Sequence, residues 1–447
     1  MIPFLSRIST FFHVDTLSLV LFSLVVLVAL SIGSFSLRYL RGDRRQASFY
    51  ARLLGLVLSL FLLVSADHLL LLAAAWALSN FLLTRLMLHK QEWEAARQSS
   101  LLAGKNFVLG LAFLSLAFFL LYQLSGTSSI QAILQNPVTS KWTSLACLLL
   151  VLTAMTQSAL WPFHRWLTSS LNSPTPVSAI MHAGLVNGGG FLLARFAPLF
   201  FQQAFILNLL FAAGILTALL GTLWKLMQTD IKRMLACSTM GQMGFMLAQC
   251  GLGLFPAAIA HLCWHGLFKA YLFLASGSAA REKRLPLSYP PALSRFLLAT
   301  CFGIVAAVLF AWISGVQVQV ADTRWFLVLP ALVAGTQFTL PILQDKGRYQ
   351  LPLAFFAAIV LGACYGASVH FMESLLAPLG ISQPQPLNAL HGVAALVLIA
   401  SWLLLLFVRP DSSLGYPNWL LKLYVQMLNA GQPHPGTVTT HRNSYKF

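Results

Sequence analysis

The feature that most constrains this chain is a series of apolar runs too long and too continuous for the interior of a water-soluble domain. A helix rises about 1.5 Å per residue, so crossing roughly 30 Å of hydrocarbon takes about 20 residues. About thirteen runs of that length can be read, near 16–37, 47–65, 67–88, 100–124, 143–161, 174–196, 203–226, 232–252, 256–277, 293–315, 325–344, 351–372 and 387–408. In lipid every backbone donor and acceptor must be satisfied within the protein, which leaves helices or closed barrels. The runs do not alternate apolar and polar residues as barrel strands would. They predict an all-α integral membrane protein. Charged residues make up only 9% of the chain, against about 25% in a soluble domain.

A net charge of +17 invites a nucleic-acid reading, but the basic residues sit in short loops between the runs. Alternate loops carry Arg38, Arg41, Arg44 and Arg45; Lys90 and Arg97; Arg165; Lys232 and Arg233; Arg281, Lys283 and Arg284; Lys346 and Arg348; and Arg409 with the tail. The intervening loops hold little beyond Lys141, Arg195 and Arg324. Positive charge marks the cytoplasmic side. The expectation is a multi-pass protein of the cell inner membrane, with the N-terminus outside and the C-terminus in the cytoplasm. Lipid is then the medium, and no nucleic-acid partner is expected. The run after Asp15 is a full span, so a retained helix is expected rather than a cleaved signal peptide. Residues 1–408 read as one transmembrane domain. Residues 409–447 read as a cytoplasmic region with an amphipathic helix near 418–429 and a basic tail that is either solvated or docked on a partner.

Against this background one stretch stands out. His261, His265 and Lys269 lie in an apolar run at positions i, i+4 and i+8. On a helix they share one face, about 6 Å apart per step. Ionisable groups inside a span are costly and mark pathways or ligand sites. Histidine can both accept and donate a proton near neutral pH, and a buried lysine can release one. His182 lies in PTPVSAIMHAGLVNGGG, where two prolines and three consecutive glycines predict an interrupted helix. His182, Lys232, His261, His265 and Lys269 together read as a proton pathway, entered near Asp230. Asp67 and His68 are candidates for an outside entry, and Lys105 for support or for anchoring at the interface.

Competing chemistries find less in the sequence. The i, i+4 histidines have metal-ligand spacing, but Lys269 shares their face and no third ligand is at hand. The six cysteines (Cys147, Cys237, Cys250, Cys263, Cys301 and Cys364) are scattered through apolar runs without CxxC pairs. They read as small core residues. Only eleven acids are present, and none form a facing pair suited to hydrolysis. No nucleotide-binding loop or nucleophile elbow appears. No catalytic residue and no cofactor are expected in this chain.

The segments SPTPVSAIMHAGLVNGGGFLLARF, QTDIKRMLACSTMGQMGFM and AAIAHLCWHGLFKAYLFLASGS, with VDTLSLVLF and ADHLLLLAAAWALSNFLL before them, resemble the antiporter-like membrane subunits of respiratory complex I and of Mrp-type cation/proton antiporters. The resemblance covers roughly residues 14–280. It implies an antiporter-like fold with a broken helix, and a proton path through His182, Lys232, His261, His265 and Lys269. Two departures stand out. The glutamate that follows the tryptophan in that family is Ala77 here, after Trp76, and its lysine before the Pro–x–x–x–Trp-Leu segment is Gln157. A shortened, lysine-depleted chain of this type looks most like the DabB family, the membrane subunits of inorganic-carbon accumulation complexes. That resemblance implies a partner of the DabA type, a zinc protein resembling carbonic anhydrase, so that zinc belongs to the partner. The alternatives left open are a proton- or cation-translocating subunit of a complex I or Mrp assembly, and a non-conducting membrane scaffold.

Overall fold

The computed structural model describes residues 11–281, 290–317, 319–345, 347, 349–407 and 418–438. Every long element among them is a helix, and extended segments form only isolated bridges. The charged stretches at 282–289 and 439–447, with Lys346, Arg348 and Arg409, lie outside the described residues.

The first four helices are α1 (Thr16–Tyr39), α2 (Gln46–Ser65), α3 (Leu69–Met87) and α4 (Glu94–Ser125). Next come α5 (Ile130–Gln135), α6 (Lys141–Gln157), α7 (Arg165–Thr168), α8 (Thr175–Ala183), α9 (Gly188–Arg195), α10 (Ala197–Phe200), α11 (Ala204–Leu226), α12 (Ile231–Gly251) and α13 (Phe255–Ala275). The chain continues through α14 (Leu293–Ile313), α15 (Trp325–Gln344), α16 (Gln350–Leu376), α17 (Ala389–Phe407) and α18 (Asn418–Ala430). Each expected run appears as helix. Among the described residues eleven helical segments are both long and apolar enough to cross a membrane. The two expected spans outside that set are α6, with 17 residues, and α12. The latter carries Lys232, Arg233, Ser238, Thr239, Gln242 and Gln249 among its apolar residues.

The helices fall into two compact units. The first comprises residues 1–251, 261–281 and 423–447; the second comprises 252–260 and 282–422. In the first unit the broken pair α8–α9 is the central element. Of its span, 94% is buried, against 33–44% for the α1 to α4 spans around it. The break is the expected one: α8 ends at Ala183, a single 3-10 turn covers Leu185–Asn187, and α9 resumes at Gly188. The glycines after the break are needed for close approach. A Cβ on Gly189 would lie 2.3 Å from the Ser158 hydroxyl, and one on Gly190 would lie 2.6 Å from Met246 Sδ.

An ion pair fixes the far end of this pair. Arg195, at the end of α9, meets Asp15, the N-cap of α1, through both guanidinium nitrogens. The same guanidinium donates to Ser18 Oγ at 2.9 Å and to the Val64 carbonyl at 3.0 Å. Both side chains are more than nine-tenths buried. Removing either partner alone strands the other charge.

The described part of the tail packs on its own chain. Gly431 lies against the Trp224 ring, and Gln228 donates to its carbonyl at 3.3 Å. The His434 amide donates to Ser169 Oγ at 2.9 Å, and Asn172 Nδ2 donates to the Thr437 carbonyl at 2.7 Å. The helix before it, α18, exposes Trp419, Leu421, Tyr424 and Val425. In the second unit, α14 packs against both α15 and α16. Small residues set the spacing there: a Cβ on Gly362 would lie 2.4 Å from the Ala306 carbonyl. Arg324 and Glu373 pair at 3.5 Å within this unit.

Candidate functional site

Helical spacing places the expected ladder as the sequence predicts. On α13, His261 and His265 lie with rings nearly parallel, 10° apart, and centroids 6.4 Å apart. The Lys269 side chain is 1% exposed and His265 5%. Among the described residues the Lys269 ammonium donates to the Leu235 carbonyl of α12, at 3.4 Å. That carbonyl also accepts from Thr239 Oγ1 at 3.0 Å. One turn beyond Lys269, Phe273 stacks on His182 of α8, with centroids 4.3 Å apart. The broken helix thus brings His182 to the foot of the ladder, where the charges of Lys269 and Lys232 bear on it.

Lys232, in the first turn of α12, donates to the Ser173 carbonyl at 3.1 Å. A crevice lined by His182, Lys232, Arg233, Ser170, Ser178 and Phe273 joins the two neighbourhoods, and it is too tight for a free water molecule. The five residues expected on the pathway are therefore gathered in one unit. Polar ring atoms in this cluster lack protein partners among the described residues: His182 Nδ1, His261 Nε2 and both nitrogens of His265. Buried polar atoms in native proteins are nearly always paired, with protein or with water. A row of imidazole nitrogens with no protein partner leaves each ring able to take and pass a proton.

The auxiliary candidates hold helix starts or lie on the surface, and of them Asp230 neighbours the cluster. Asp67 accepts from Ser129 Oγ at 2.7 Å and from the Gln131 amide at 2.9 Å, fixing the start of α5. His68 caps α3 by accepting from the Leu70 amide and stacks on Phe11. Asp230 accepts from the Arg233 amide at 3.0 Å and so caps α12 next to Lys232. Lys105, near the start of the expected run at 100–124, does not lie near the start of its helix. The helix begins at Glu94, after the extended N-cap Trp93, because the polar residues from Glu94 onward already wind as helix, and Lys105 lies exposed three turns in.

One arrangement was not foreseen. Where the resemblance puts a lysine, the Gln157 amide forms a reciprocal pair with Asn80, at 3.1 and 3.0 Å. Its nitrogen also donates to the Leu185 carbonyl, inside the break between α8 and α9, at 3.3 Å. Asn80 lies one turn after Ala77 on α3, and both amides are at least 96% buried. The only trace in the sequence is the asparagine beside Ser79 in the mostly apolar ALSNFLL.

Comparison with known proteins now bears on this geometry. Residues 66–310 match the model of the family described as "NADH:quinone oxidoreductase/Mrp antiporter, TM". Residues 5–50 match that of "NADH-Ubiquinone oxidoreductase (complex I), chain 5 N-terminus". The "Probable inorganic carbon transporter subunit DabB" of Bacillus subtilis is 32% identical over 97% of this chain and 86% of its own length. The "NADH-quinone oxidoreductase subunit L" of Pseudomonas aeruginosa is 37% identical over 62% of this chain and 48% of its own. A chain of the solved Mrp complex from Dietzia sp. DQ12-45-1b superposes with a TM-score of 0.59 over 93% of this chain, at 23% identity, and shows the shared fold. This chain spans 52% of that longer one. The broken central helix, the buried ladder and these matches place the chain in the NADH:quinone oxidoreductase/Mrp antiporter transmembrane family, as an antiporter-like, multi-pass membrane subunit that DabB-type subunits match over nearly its whole length.

Proposed function

We propose that this chain is the membrane subunit of a two-component inorganic-carbon uptake complex. It conducts protons, or another cation, through Lys232, His182, Lys269, His265 and His261, and so energises a zinc-bearing, carbonic-anhydrase-like partner of the DabA type. Catalysis then belongs to the partner, and this chain carries no cofactor of its own. The N-terminus is outside and the C-terminus cytoplasmic, as the basic loops indicate. The observation that carries the reading is Lys269. It is an ammonium 1% exposed that meets a backbone carbonyl, one helical turn from an imidazole whose two nitrogens have no protein partner among the described residues. A buried charge without a counterion is retained at a cost, and proton transfer is what such a group can do that an apolar residue cannot. The inorganic-carbon assignment leans on the Bacillus subtilis relative, matched over 86% of its length. Cation movement leans on the family itself.

In this scheme Lys232 collects a proton at the Ser173 carbonyl, and His182 relays it to Lys269. The two histidines of α13 then pass it along their stacked rings. The test is Lys269→Ala or His265→Ala in a cell that depends on the complex. Bicarbonate accumulation should be lost while the complex still assembles and purifies with its partner. Normal accumulation in both variants would refute the pathway.

A second reading, a non-conducting scaffold, is favoured by the neutral Gln157, paired with Asn80, where the resemblance implies a lysine, and by Ala77 where it implies a glutamate. Collapsing the ion gradients separates the two. Carbon uptake that survives immediate collapse of the proton gradient and of the sodium gradient together fits only the scaffold.

A further inference from the structure

The pathway leaves one buried polar side chain of α12 without a role. Gln249 is 0% exposed, and neither its amide nitrogen nor its amide oxygen meets a hydrogen-bond partner among the described residues. Its neighbours Met246, Leu247, Ala248 and Cys250 are all fully buried. A primary amide removed from water with nothing in exchange is strongly disfavoured, and native proteins rarely keep one without a water, a ligand or a function to account for it.

The register of α12 shows where this amide lies. His261 is met by two residues of that helix. The backbone of Gln242 is a hydrogen-bond partner of its ring, and the Phe245 ring lies edge-on with centroids 5.5 Å apart. Gln249 follows Phe245 by four residues and Gln242 by seven, so all three occupy one face. Gln249 therefore continues the face that meets His261, about 6 Å further toward the Gly251 end of the helix. His261 Nε2 also lacks a protein partner among the described residues.

We propose that Gln249 holds water that carries the proton between His261 and the Gly251 end of α12, the end the basic loops assign to the outside. This rests on reading the ladder as a proton pathway, and it supplies the station that pathway lacks beyond His261. An amide suits the task. Its oxygen accepts from a protonated water, its nitrogen donates to a neutral one, and it takes up no proton itself. A proton leaves the His261 imidazolium for the bound water, that water passes a proton to the next one out, and the imidazole returns to its neutral form. Nothing else is consumed.

The experiment reconstitutes the full chain with its partner in vesicles and follows proton flux under an imposed potential, alongside the melting temperature of each variant. Gln249→Met keeps the volume and removes both polar atoms. Flux should fall about tenfold or more, the rate equivalent of one lost hydrogen bond to the proton-bearing water. The melting temperature should hold or rise, because an unpaired buried amide has gone. Gln249→Glu keeps the oxygen and should retain flux. Wild-type flux in Gln249→Met beside a silent Lys269→Ala would overturn the role of Gln249 and leave the pathway standing. Equal flux in the wild type and in Lys269→Ala would overturn the pathway and this inference with it. If Gln249→Met loses both flux and stability, Gln249→Glu decides: restored stability without restored flux overturns the proposal, and restoration of both supports it.

Discussion

The reciprocal pair of Asn80 and Gln157 gives the sharpest energetic prediction. Gln157→Met keeps nearly the same volume but removes three hydrogen bonds, two with Asn80 and one with the Leu185 carbonyl. The two amide atoms of Asn80 are then left unpaired in a site 4% exposed. Each stranded group costs about 1–3 kcal/mol, so the single substitution should cost about 3–5 kcal/mol after partial relaxation. At about 2 °C per kcal/mol for a large chain, the melting temperature should fall by several degrees. Asn80→Leu combined with Gln157→Met removes both halves and strands only the Leu185 carbonyl. The double variant should therefore recover to within about 1–2 kcal/mol of the wild type. The assay is a four-member thermal melt of the detergent-solubilised chain, followed by tryptophan fluorescence. A single variant melting within about 1 °C of the wild type would refute the reasoning, as would a double variant that falls by the sum of the singles.

Two further outcomes follow from groups at the helix ends. Asp15→Asn should destabilise the chain by about 3–5 kcal/mol, because it leaves the Arg195 charge buried without its counterion; Asp15→Leu with Arg195→Met should recover much of that loss, as a thermal melt would show. Burial pushes the Asp43 carboxyl up, but the Arg45 amide, the His89 ring and the charge of Lys90 pull it further down, below its ordinary value. A carboxyl lowered by folding contributes stability that is complete above about pH 4 and is lost as pH falls through the folded-state value. Proteolysis of the loop around Asp43 should thus accelerate on acidification from pH 5 to 3, and Asp43→Asn should remove that dependence while raising cleavage at pH 5.

Much of this molecule was legible because the membrane allows few solutions. Long apolar runs must become helices, and the spacing of His261, His265 and Lys269 fixes a common face whatever the helix packs against. The two prolines and three glycines around His182 announced the break by the same local logic. Three features were not legible. That α4 begins at Glu94 depends on polar residues winding beyond the apolar run, so Lys105 moved from the end of a helix to its middle. Asp67 and His68, read as candidates for an outside entry, also cap helix starts, which only the neighbouring backbone reveals. The tail, read as solvated or docked on a partner, lies through residues 431–438 against Trp224, Ser169 and Asn172.

The sequence by itself determined the class of fold, the ladder and the identity of its members, because hydrophobic length and helical period are properties of single segments. Only the tertiary structure decided what surrounds them. It brought His182 onto Phe273 and set the Lys269 ammonium on a backbone carbonyl. It joined Asn80 to Gln157 across 77 positions of chain and left Gln249 buried with both amide atoms unpaired among the described residues. These are outcomes of packing between distant helices, where a polar group's partners depend on which neighbours reach it and not on the residues beside it in the chain.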